Sequence, residues 1–186
     1  VLRVTLDTDC LIDLVDPESD GRFKAEMRRL GELAEQGKVE LTYPATSLRE
    51  FDRDLDPERR AARRAAARDA HPALAGVERP IGVSRLNVSK WDDASMVLGD
   101  DGDAQLDESV RDVMRPDPRP VPDDAIIERK LSDIDNLLAH ARSGRDVFVT
   151  GNTDDFTPLR CKVLAERLGI IVQTPPEVLK LLDDPP

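Results

Sequence analysis

The chain has 186 residues, 39% hydrophobic and 35% charged, which suits one domain with a real core and a heavily solvated surface. A formal net charge of -11 argues against a protein that lives on phosphate backbones through Lys and Arg, and 3% aromatic content argues against stacking on exposed rings as its grip on nucleic acid. Neither excludes a metal nuclease, because carboxylate-bound cations reverse the local sign where phosphate must approach, and the negative surface also suits a basic protein partner.

Val1 to Leu6 is β-prone and ends at Asp7, so the N-terminus reads as a strand and not as a signal peptide. The apolar run from Cys10 to Val15 opens a helix. Phe23 to Gln36 carries helical spacing and stops at Gly37. Val39 to Tyr43 reads as a strand stopped by Pro44. Thr46 or Ser47 caps the next helix, Pro57 breaks it from the Arg/Ala-rich stretch Glu58 to Ala70, and His71-Pro72 closes that stretch. Residues 82–122 read as an insertion or excursion, partly loop, adding little to the main sheet. Within it, one or two short strands fall at Ile81 to Val88, Trp91 to Glu108 holds seven acids and no Lys or Arg, and a proline-rich linker runs from Pro116 to Pro122. Order resumes at Asp123 with the helical stripe Ile126, Ile127, Leu131, Ile134, Leu137, Leu138 and Ala141, ended by Ser143-Gly144. His140 falls on a solvated or boundary face of that helix. A buried strand from Asp146 to Thr150, a helix from Pro158 to Leu168 ended by Gly169, a strand from Ile170 to Gln173 and a short helix from Pro175 to Leu182 complete the chain. Strands alternating with helices predict a single α/β domain over 1–186, with a central mostly parallel sheet between two helical layers.

The acids gather where such folds bind ligands, at the carboxyl ends of strands. Asp7 and Asp9 follow the first strand, Glu50 lies early in the helix after the second, and Asn152, Asp154 and Asp155 follow the strand ending at Thr150. Asp133 and Asp135 lie on the helix feeding that strand. At ~100° per residue they stand ~200° apart, flanking opposite edges of the apolar stripe, so periodicity does not choose between them. Crowded carboxylates repel unless a cation sits between them, and oxygen-only ligands suit Mg²⁺ or Mn²⁺. The two histidines and two dispersed cysteines give zinc poor support and make a disulfide framework unexpected, which points to a reducing compartment. No apolar run approaches the ~20 residues that span a bilayer, so the expected location is the cytoplasm and no membrane partner is expected.

Four stretches resemble the PIN-domain ribonuclease family, notably its VapC-type toxins: Val4-Thr-Leu-Asp7-Thr8-Asp9, Ala45-Thr-Ser-Leu-Arg-Glu50-Phe51, Asp135-Asn-Leu-Leu-Ala139, and Val147-Phe-Val-Thr150-Gly-Asn152-Thr-Asp-Asp155-Phe156. They cover about 1–56 and 123–175 in the family's order. The resemblance implies a PIN-like three-layer domain and a metal-dependent endoribonuclease that cuts single-stranded RNA to a 5′-phosphate and a 3′-hydroxyl. It implies Asp7, Glu50 and Asp135 as core metal carboxylates, with Asp155 or Asn152 in the fourth position. Thr8 or Thr150 would orient a carboxylate or water, and Asp9, Asp133 and Asp154 would support the site. A toxin–antitoxin setting, with an antitoxin covering the acidic pocket, and a homodimer also follow from the likeness.

Plainer readings stand beside these. Asp7 and Asp9 also suit helix-capping turns, and Glu50 suits a helix N-terminus. Arg60, Arg63, Arg64 and Arg68 share one helical face, either as a phosphate-tracking arm or as a solvated helix paired with the acidic segment 92–108. A catalytically inactive PIN-like scaffold fits the excess acidity and the asparagine at 152. Asp7-Thr8-Asp9 also resembles the opening motif of haloacid-dehalogenase-type phosphatases, but Lys162 and Asp183-Asp184 come too near the end of the chain to build the rest of that site.

Overall fold

A computed structural model describes residues 1–70, 72–74, 81–83, 95–97, 101–114 and 124–183. Its centre is a four-stranded sheet, all parallel, in the order β2 (Val39–Thr42), β1 (Leu2–Leu6), β5 (Val147–Val149), β6 (Val172–Gln173). Alternation along each strand sends side chains to both faces. Val4, Leu6, Val39, Leu41, Val147 and Val149 enter one apolar cluster, shared with α1 (Thr8–Val15), α2 (Lys24–Glu35) and α8 (Pro175–Asp183). Phe148 and Val172 enter the other, shared with α5 (Asp101–Met114), α6 (Asp124–Arg142) and α7 (Pro158–Leu168). The sheet is therefore covered by helices on both faces, as the all-parallel pairing requires.

Local chemistry sets the helix ends. Asp7 caps α1 by accepting from Thr8 N, so that helix opens at Thr8, ahead of the apolar run at Cys10. Thr157 caps α7, Pro158 starts it, and Gly169 ends it at φ +67°, a left-handed turn that favours glycine. α3 (Ala45–Glu50) carries Glu50 at its last turn, and α4 (Pro57–Ala65) follows, capped by Asp56 and continued as a π turn through Ala70.

The excursion contributes more to the core than its composition suggests. α5 packs on α6 and α7 with Val110 and Met114 fully buried, whereas β3 (Ile81–Val83) and β4 (Ser95–Val97) form a separate two-stranded sheet among the described residues. The acids before and within α5 masked a stripe at Leu106, Val110, Val113 and Met114. Trp91, His71, most of the stretch 84–100 and the proline-rich linker lie outside the described residues. His140, expected at a boundary, is 2% exposed: its Nδ1 meets Thr5 Oγ1 at 2.9 Å, and its ring stands edge-on to Phe148. Among the described residues no helix is long and apolar enough to cross a membrane.

Candidate functional site

β1 leads to a neighbour on one side and β5 to a neighbour on the other, so the strand order reverses between β1 and β5. Open parallel sheets bind ligands beyond the carboxyl ends of their strands at such a switch. A hollow of about 640 Å³ includes the residues that follow both strands. Among the described residues six carboxylates line it, from Asp7, Asp9, Glu50, Asp133, Asp154 and Asp155, against one cation, Lys130. Thr8, Ile12 and Asn152 complete the described lining.

Asp7 is 5% exposed and held by three donors: Thr150 Oγ1 on Oδ2 at 2.7 Å, and Asn136 Nδ2 and Thr8 N on Oδ1, each at 2.9 Å. Burial still pushes its carboxyl above the usual range, reinforced by the charge of Glu50 and opposed by those donors. Thr8 Oγ1 reaches Ser47 Oγ at 3.0 Å and ties α1 to α3, the helix that carries Glu50. Asp9 accepts from Cys10 N at 2.7 Å and from Gly151 N at 2.8 Å, and burial followed by the charge of Asp7 pushes it up to about 7. The approach at Gly151 is close: a Cβ there would stand 2.6 Å from Asp9 Oδ2.

Of the two candidate acids on α6, Asp133 and Asp135, Asp133 is the one that lines the hollow. The family likeness favoured Asp135; that residue is buried at 6% exposure but is not among the hollow's lining residues. Lys130, Asp133 and Asn136 recur at i, i+3, i+6, and all three serve the site region, the first two as lining and Asn136 through Asp7. Asp133 is 9% exposed, and its Oδ2 meets no hydrogen-bond partner among the described residues. Burial, then the charges of Asp7 and Glu50, push its carboxyl up to about 8, with Lys130 pulling the other way. The sequence reading missed Lys130, Asn136 and Ser47. Their signal was polar side chains set at helical spacing from a candidate acid.

Lys130 forms an ion pair with Asp155, which also lines the hollow. Asn152 Nδ2 donates to Asp155 Oδ2 at 3.0 Å, and its Oδ1 accepts from Asp155 N at 3.2 Å. Asn152 thus braces the carboxylate beside it. Asp154 is exposed. Thr150 takes the orienting role on Asp7, and its Oγ1 also accepts from Asn152 N at 3.1 Å.

The donor set is hard oxygen throughout, which fits Mg²⁺ or Mn²⁺. So does the buried Asp133 oxygen that no described donor satisfies. As the side chains stand, no group of three or more His, Cys, Asp or Glu among the described residues is gathered closely enough to hold an ion. Binding would have to draw carboxylates inward.

The arginine run is engaged nearby. Arg63 pairs with Asp16 at 2.6 Å and with Asp54 at 2.8 Å, Arg59 with Asp54 at 2.7 Å, and Arg64 with Asp52 at 2.6 Å. Arg60 reaches the carbonyls of Asp52 and Asp54 at 3.4 Å, and Arg68 is exposed. These partners lie close in the fold, and most side chains of the acidic segment 92–108 lie outside the described residues. No protein-family model matches the chain, and no curated protein matches it.

Proposed function

We propose that this is a PIN-like, metal-dependent endoribonuclease, with Mg²⁺ or Mn²⁺ held by Asp7, Glu50 and Asp133 and with Asp154 and Asp155 at the rim. One observation carries the reading: acids from four separate segments line one hollow at the strand-order switch, and Asp133 is nine-tenths buried there with an oxygen that lacks a described donor. Such crowding is relieved by a divalent cation. Bound there, the cation would polarise a phosphodiester and activate water. The chain's own groups do the positioning. Thr150, Asn136 and Thr8 fix Asp7, and Thr8 with Ser47 joins that acid's helix to the one bearing Glu50. Asn152 fixes Asp155.

The setting proposed with it is a toxin restrained by an antitoxin that covers the acidic hollow, acting as a homodimer. A competing reading, a PIN-like module that binds without cutting, draws on the Lys130–Asp155 pair, which places an ammonium where a cation would otherwise be attracted. Cleavage of single-stranded RNA with and without Mn²⁺, by wild type and Asp7→Ala, separates the two. Mn²⁺-dependent cleavage by wild type alone supports the nuclease. Equal outcomes in all four samples sink it, and a phosphorylated aspartate trapped from a phosphate monoester would point instead to a phosphatase.

A further inference from the structure

Resting on the nuclease reading, we propose that a second hollow, at the carboxyl ends of β5 and β6, receives one unpaired base of the RNA whose phosphate lies at the acidic hollow. This cavity holds about 280 Å³. Phe156, Pro158 and Val172 give it apolar walls, and Thr153, Gln173 and Thr174 give it neutral hydrogen-bonding groups. Its lining among the described residues has no Lys or Arg. Its one carboxylate, Glu177, is engaged, accepting from Thr174 N and Thr174 Oγ1 at 2.7 Å each. That chemistry is wrong for a phosphate and wrong for a cation. Apolar walls with neutral polar edges match a heterocyclic base, whose faces are apolar and whose edges carry donors and acceptors.

Position supports the same occupant. Asn152 lines both hollows, and Thr150 lines the smaller one while its hydroxyl holds Asp7. A nucleotide with its phosphate before Asp7 therefore has the cavity on the far side of a single wall. Gln173 is set on a rigid element: it pairs with Val149, and its carbonyl accepts from Thr150 N at 3.1 Å. Its side-chain amide offers both donor and acceptor, which is what edge reading requires. The volume, about 280 Å³, lies just below the range of small-molecule sites, ~300–1,000 Å³, and leaves room for one base.

The test is binding of fluorescent RNA octamers in Ca²⁺ at constant ionic strength, set against an octamer of the same backbone that is abasic throughout. Wild type should bind at least one base-bearing octamer about tenfold or more tightly than the abasic one. Gln173→Ala and Thr153→Trp, each checked for an unaltered melting curve, should bring the two affinities together. Equal affinity for intact and abasic strands in wild type, no measurable binding, or an undiminished difference in both variants overturns the base pocket. Diester cleavage separates this from the larger reading. A wild type that cuts neither RNA nor bis(p-nitrophenyl) phosphate in Mn²⁺ sinks the nuclease, while the octamer series still decides the pocket. A wild type that cuts both, with no abasic effect, sinks the pocket alone.

Discussion

Thr150 Oγ1 donates a 2.7 Å hydrogen bond to Asp7 Oδ2, joining the ends of two neighbouring strands whose residues stand 143 positions apart in the chain. Both partners are buried, so the bond is shielded from water. Thr150→Val keeps the shape and removes the donor. Such a loss should destabilise the chain by about 1–3 kcal/mol, read as a shift of the urea midpoint at constant slope. A change below a few tenths of that would mean Asp7 finds another donor without cost.

Asp133 and Asp135 make opposite predictions. Asp133→Asn should raise the Tm of the divalent-free chain, because it removes a carboxylate that burial and two neighbouring acids disfavour. The same change should abolish the stabilisation by Mn²⁺, which for a single site amounts to about 2.7 kcal/mol at roughly 100 times Kd. Asp135→Asn should leave the Mn²⁺ response in place. Calorimetric scans of the three proteins with and without Mn²⁺ decide it, and a lost response in Asp135→Asn alone would return that residue to the site.

Lys130 neutralises one wall of the hollow through Asp155. Lys130→Gln should therefore tighten Mn²⁺ binding roughly threefold to tenfold, equivalent to ~1 kcal/mol for a freed carboxylate. Isothermal titration reads this without any turnover. Weaker binding in the variant would assign the ammonium a supporting role instead.

Opposed by Asp9 and Asp133, whose carboxyls are pushed up to about 7 and about 8 and so favour the folded chain at lower pH, one contribution to the pH dependence comes from His140. Burial, then the nearby Arg145, lower its imidazole from 6.5 to about 4. Between those values the unfolded chain binds more protons than the folded one, so this contribution is complete above pH 6.5 and fades as the pH falls towards 4. At about 1.4 kcal/mol per pH unit, the full contribution is roughly 3 kcal/mol. Ring-proton NMR should titrate near 4 for this residue, and His140→Gln should remove this rise, so that stability falls more steeply with pH between about 4 and 6.5 than in wild type.

Arg63 is only 14% exposed and bridges Asp16 and Asp54, whereas the Arg64–Asp52 pair is more open. Arg63→Ala should lower Tm measurably, and Arg64→Ala should leave it nearly unchanged. If the arm tracks phosphate, RNA affinity in Arg64→Ala should fall with a shallower salt dependence than wild type.

The sheet and its order of elements were readable because three of its four strands end in a distinct stop: Asp7, Pro44, and the Gly151-Asn152 turn. The convergence of Asp7, Glu50 and Asp155 on one hollow was readable for the same reason, since strand ends share one edge of a parallel sheet. The choice on α6 was not. Two acids two residues apart flank the same apolar stripe, and only the packing of the helix turns one of them to the hollow. α5 was hidden because its acids overwhelmed a four-residue apolar stripe. The arginine pairings were hidden because they depend on where α4 docks, which no spacing encodes.

Gly151 offers a way to separate where a charge sits from whether it is present. Any side chain at that position intrudes on the Asp9 carboxylate and on Phe23 at 3.1 Å, so Gly151→Ala would push Asp9 off the backbone amide that holds it. The variant keeps every acid of the hollow and the same formal charge. It acts as a steric dial on one oxygen pair, distinguishing a protein that needs its acids in register from one that needs only their sum.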